Sequence, residues 1–187
     1  MATRRVVTGI EGGRSVFLSD GAAPPVPGAM FEELWAIQAG DDFGHSPVAG
    51  DETLEGPTGD LRWRVVTIPT DEDIRRMIAA LPAEQQALVN TEGWHTTKTV
   101  DLVYVLEGEC VLIENGGEVM LQAGDCAGFK ANVDNGHCIV NRTDREVLLL
   151  EVGTRAPSER SHYPDDDLKF ERDDTVLRVL YKSGEPY

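Results

Sequence analysis

Two segments hold the residues that could do chemistry. In GWHTTKTVDLVYVLEGE, residues 93–109, His95, Thr97 and Asp101 stand at even offsets; in GDCAGFKANVDNGHCIVN, residues 124–141, His137 stands four residues before Asn141. Successive side chains of a strand point to opposite faces. A continuous strand would therefore show His95, Thr97, Thr99, Asp101, Val103 and Val105 on one face and Leu102, Tyr104 and Leu106 on the other. A face that begins polar and ends in valines is a polar mouth over an apolar floor, as at the open end of a ligand-holding barrel. There Asp101 is a candidate general acid or base, and His95 and His137 can exchange roles with it. The same histidines could instead be hydrogen-bonded groups of a barrel that performs no chemistry.

Aromatic side chains near these segments could supply pocket walls: Trp94 beside His95, Trp35 and Trp63, and Phe129 with Lys130 in a loop leading to His137. His45 and His162 lie among Gly, Pro, Ser and Asp and read as surface histidines. Cys110 and Cys138 read as small core residues, since nothing basic beside them would favour a thiolate.

The elements that must position these groups are mostly strands. RRVVTGI, EGGRSVFLSD, FEELWAIQ and LRWRVVTIP are short runs rich in β-branched and aromatic residues, separated by Gly, Pro, Asp and Asn. GAAPPVPGA and the long segment from Gly40 to Asp60 have no periodicity and read as loops. Residues 71–92 are expected to be a helical insertion: Ile74, Met77, Ile78 and Leu81 keep the helical stripe, Thr70 to Asp73 gives a cap signal, and Pro82 interrupts. A second short helix is expected over AEQQALVN. From residue 95 to 152 strand follows strand, with NGG at 115–117 as a hairpin turn. The tail is expected to add one strand at TVLRVLY and otherwise to wrap the surface.

The pattern defines an all-β sandwich or jelly roll. The whole chain, 1–187, is expected to be one domain: an N-terminal strand arm and loops (1–70), the helical insertion (71–92), the core of the barrel (93–152) and a C-terminal tail (153–187). With 17 basic and 33 acidic residues the formal charge is −16, which repels phosphate backbones and anionic membranes. Nucleic acid and membrane are therefore excluded as expected partners, and no apolar run is long enough to cross a bilayer. Three cysteines without a CxxC pair, and no secretory leader, point to a reducing cytoplasm. Exposed sheet edges and apolar faces favour a homodimer.

His95, Thr97, Asp101 and Gly108, followed by Gly124, Asp125, His137 and Asn141, resemble the two motifs of the cupin superfamily. The resemblance implies a jelly-roll β-barrel, the double-stranded β-helix. It also implies a divalent metal site at His95, Asp101 and His137, with Thr97 where the family's second histidine stands. Two imidazoles and a carboxylate suit Fe, Zn or Mn with open coordination positions. The activity implied is that of a lyase, dehydratase, isomerase or cyclase acting on a small oxygenated organic molecule in specialised metabolism or catabolism. In it the metal or Asp101 polarises or deprotonates the substrate, which Thr97, Trp94, Phe129 and Asn141 contact. An Fe(II)-dependent dioxygenase is the alternative enzyme, and a metal-free small-molecule-binding cupin the alternative outside enzymes.

Overall fold

The computed structural model describes residues 2–25, 30–38, 40, 58–82, 94–133, 135–156, 158–162, 167, 169–173 and 176–186. His45 and AEQQALVN fall outside them, as does the side chain of His162.

The four N-terminal runs form β1 (Arg4–Glu11), β2 (Arg14–Ala22), β3 (Phe31–Ile37) and β4 (Leu61–Ile68). The helix α1 covers Asp71–Ala79, and the Thr70 hydroxyl caps it by accepting from the Asp73 N–H at 3.1 Å. None of its residues is buried.

The apolar run after Val100 is two strands. Gly108 takes a φ of +87°, open to glycine, and divides β5 (Asp101–Glu107) from β6 (Glu109–Glu114). Asn115 and Gly116 then turn the chain into β7 (Gly117–Gln122), the hairpin expected from NGG. β8 (Cys126–Phe129), β9 (His137–Val140) and β10 (Val147–Thr154) follow. The tail departs from expectation. It forms an antiparallel meander of β11 (Ser158–His162), β12 (Lys169–Asp173) and β13 (Val176–Leu180), and the first two strands, SERSH and KFERD, carry too few apolar residues to announce themselves.

Two sheets make the core. One has the order β3-β4-β10-β5-β8 and the other β7-β6-β9, while β1 and β2 pair separately. Val105, Val147 and Leu149 of the first sheet pack on Cys110 and Leu121 of the second, with Val66, Leu112 and Ile139 around them. These side chains are the apolar floor. The outer face of the first sheet has its own small cluster of Ala23, Leu34, Val65 and Leu150.

Candidate functional site at the barrel mouth

The alternation expected for the strand after His95 holds from Asp101 onward. Val103 and Val105 are buried, whereas Leu102, Tyr104 and Leu106 are 43–49% exposed on the opposite face. Before Asp101 the strand is interrupted by a bend at Lys98 and Thr99, so His95 reaches the mouth by another route. It pairs with His137 in an isolated antiparallel bridge, each N–H donating to the other's carbonyl at 3.1 Å. Directly opposed residues of such a bridge project to the same side. The two imidazole rings accordingly lie 4.7 Å apart between centroids.

His137 is 5% exposed and stacks face to face on Phe129, 3.8 Å between centroids and 6° from parallel. Phe129 is the last residue of β8, opposite Asp101 in register, rather than a loop residue; pairing carries it to the inner face. The His137 Nδ1 is 3.1 Å from the carbonyl of Asn135. A carbonyl only accepts, so the proton sits on Nδ1 and neutral His137 presents an Nε2 lone pair. Burial holds the His137 pKa below the usual histidine value, with the Asn135 hydrogen bond opposing it.

Asp101 sits half-buried at the start of β5. Its Oδ2 accepts from the hydroxyls of Thr99 at 2.6 Å and Thr97 at 3.1 Å, a bond pair that fixes the carboxyl group. Thr97, Phe129, Lys130, Val133, Asn135 and His137 line a cavity of about 200 Å³. Trp94 is half-buried beside His95. Asn141 is fully buried, and its amide holds the β9–β10 loop: Nδ2 donates to the carbonyls of Ile68 and Arg145, and Oδ1 accepts from the N–H and hydroxyl of Thr143.

Sequence reasoning missed the polar wall beside Asp101. Glu33, Asp60, Arg62, Arg64 and Arg155 are all buried. Arg64 Nε donates to Glu33 at 3.0 Å, and Arg62 Nε and Nη2 donate to Asp60 at 3.0 and 2.6 Å. Glu151 lies opposite Arg64, and burial pushes its carboxyl up while Arg155 and Arg64 oppose the rise. The signal was parity. In LRWRVV the arginines alternate with Trp63 and Val65, and Trp63 is the outward one at 43% exposed.

The donor chemistry suits a metal in part. Two adjacent imidazoles are a natural pair of ligands, but Asp101 is turned to its threonines, and among the described residues no three His, Cys, Asp or Glu side chains are arranged to hold an ion.

The fold and this mouth define the class of protein. The family model described as Cupin domain matches residues 86–153, which span both histidines and Asp101. The solved structure of a sugar phosphate isomerase from a cupin superfamily of Silicibacter pomeroyi is similar over 100% of this chain and 92% of its own, at 25% identity and a TM-score of 0.56. A putative sugar phosphate isomerase from Acidithiobacillus ferrooxidans shares the fold over 68% of this chain and 70% of its own, at 16% identity and a TM-score of 0.51. No curated protein matches the sequence. Residues 86–153 are thus similar to the Cupin domain, and the chain has the double-stranded β-helix fold that its motifs suggested. Among the described residues no helix is long and apolar enough to cross a membrane.

Proposed function

We propose that this protein is an enzyme that moves a proton on a small oxygenated organic molecule, by isomerase, lyase, dehydratase or cyclase chemistry at the barrel mouth. The observation that carries the reading is the pairing of a buried, neutral His137 with His95 beside Asp101 and an adjoining cavity. An isomerisation needs one group to take a proton from a carbon next to a carbonyl and a group to return it to the neighbouring carbon. Asp101 binds its threonines through Oδ2 alone, which leaves Oδ1 to take the carbon-bound proton and to return it. The Nε2 lone pair of neutral His137 takes the proton of the substrate's neighbouring hydroxyl group and passes it to the carbonyl oxygen. Thr97, Phe129 and Trp94 would contact the substrate. The similarity over the full chain to a protein described as a sugar phosphate isomerase supports the isomerase form of this chemistry.

Metal binding is common among cupins, and a metal-dependent form with His95, Asp101 and His137 as ligands requires Asp101 to turn away from Thr97 and Thr99. Fe, Zn and Mn are the candidates. A second copy of the chain would cover Trp63, Leu102, Tyr104 and Leu106, whose exposed rings and branches share the outer face of one sheet.

The test is solvent hydrogen exchange. Small hydroxyaldehydes, hydroxyketones and hydroxy acids are incubated with the protein in D2O and followed by proton NMR, and elemental analysis is run on the same preparation. Deuterium should enter next to the carbonyl or carboxylate group, and Asp101→Asn and His137→Gln should each abolish it. Exchange at the parental rate in Asp101→Asn would leave a binding module or a different base, and the proposal would fall.

A further inference from the structure

Lys130 is a charge at the barrel mouth that proton transfer leaves unused. It follows Phe129, the last residue of β8, and lines the cavity of about 200 Å³ that adjoins His137. Among the described residues that line this cavity it is the only charged side chain, since His137 is neutral and the others are Thr, Gly, Phe, Val and Asn. Lys98 and Lys169 have partners, in Ser158 at 3.0 Å and Glu171 at 3.1 Å; Lys130 has none among the described residues. The chain carries a formal charge of −16, so a cavity wall that bears an unpaired ammonium and no described carboxylate is a local reversal of sign.

Exposure gives the cavity a direction. His137 is 5% exposed and closes one end, where Thr97 donates to Asp101. Lys130 and Val133 are exposed and stand at the open end. Between them the chain turns at Asn132, whose φ of +58° is the left-handed conformation that asparagine tolerates, and Val133 and Asn135 come back along the same wall. The Asn135 amide is committed, because its Nδ2 donates to Glu114 Oε2 at 3.1 Å. The Lys130 ammonium is thus the charged donor left for a ligand.

Size and charge narrow that ligand. At about 30 Å³ for each water-sized group, the cavity takes about six or seven non-hydrogen atoms, which is the size of a three-carbon hydroxy acid and too small for a phosphorylated sugar. One ammonium balances one carboxylate. A phosphate dianion would leave a negative charge over, and the planar fork of an arginine that suits phosphate is not among the described lining residues.

We propose that Lys130 selects the substrate by its charge: it holds the carboxylate of a three-carbon hydroxy-oxo acid at the open end of the cavity, while the adjoining carbons reach His137 and Asp101. The roles of His137 and Asp101 rest on the proton-transfer reading, whereas the ion pair with Lys130 does not.

The test separates the two. Glycerate, which has the carboxylate and hydroxyl groups but no carbonyl to react, is titrated into the full chain at low ionic strength and followed by the ring-proton NMR signals of the histidines. Glycerol and glycerol 3-phosphate are the comparators. Glycerate should bind saturably and more tightly than either. Lys130→Gln should weaken it by about 3–5-fold, the effect of an exposed ion pair, and Lys130→Glu, which turns attraction into repulsion, by more. Salt near 1 M, where the Debye length is about 3 Å, should bring the parent and variant affinities together. No saturable glycerate binding, tighter binding of glycerol 3-phosphate, or a glycerate affinity unchanged in Lys130→Gln and Lys130→Glu would overturn the proposal. Lys130-dependent glycerate binding in a protein that exchanges no deuterium into hydroxypyruvate would uphold the anion site and sink the proton-transfer reading alone. Exchange that favours neutral dihydroxyacetone over hydroxypyruvate would do the reverse.

Discussion

Glu33 is the side chain whose removal should cost most. It is fully buried, with Oε2 at 3.0 Å from Arg64 Nε and 3.5 Å from Arg62 Nη1, so one carboxylate serves two buried guanidinium groups. Replacing it by alanine withdraws the acceptor but leaves both arginines desolvated. Breaking a buried pair in this way costs about 3–5 kcal/mol, because the remaining charge has lost its compensation. For a domain of this size each kcal/mol lowers Tm by about 2–4 °C, so Glu33→Ala should melt roughly 6–20 °C below the parent. Equilibrium urea unfolding gives the free energy, and the slope against denaturant should stay unchanged if the same surface is exposed. The pair itself is a different matter. Replacing both partners, in Glu33→Leu with Arg64→Met, removes two desolvation penalties as well as the attraction, and stability should return to within about 1–2 kcal/mol of the parent or exceed it. A single Glu33→Ala change costing under about 1 kcal/mol at constant slope would refute the claim that this network is buried and mutually compensating.

Acid should weaken the fold through His137. Its folded pKa lies below the ordinary 6.5, so the unfolded chain binds the extra proton first, and the stability contributed by this group is present above pH 6.5 and is lost as pH falls through that value. Urea unfolding across pH 5–8 should show that slope in the parent and a shallower one in His137→Phe. Gly153→Ala would press a methyl group onto Asp101 and Arg155; because the contacts are side-chain ends that can shift, stability should fall by only about 1–3 kcal/mol while exchange activity falls far more. A fully active Gly153→Ala protein would count against Asp101 as the acting group. Thr70→Ala removes the helix cap and should cost about 1 kcal/mol by urea unfolding, with no effect on exchange.

The barrel fold and most of the architecture were legible in the sequence because their causes are local. Period-two alternation placed Val103 and Val105 inside and Tyr104 outside, NGG marked the hairpin, and Thr70 with Asp73 marked the start of α1. The His95, Asp101 and His137 set was readable as a pattern, and pairing does bring the two histidines together. Which groups surround them was decided only in three dimensions. Asp101 turns to Thr97 and Thr99, and Phe129 stacks on His137, because a bend and a strand register fix those neighbours. The arginine and carboxylate wall is the clearest case. Arg62 and Arg64 look like surface residues in a linear reading, since charged side chains are seldom buried without partners. Asp60 stands only two residues before Arg62, but Glu33 and Glu151 arrive from neighbouring strands, and the pairing of β3, β4 and β10 brings them to Arg64.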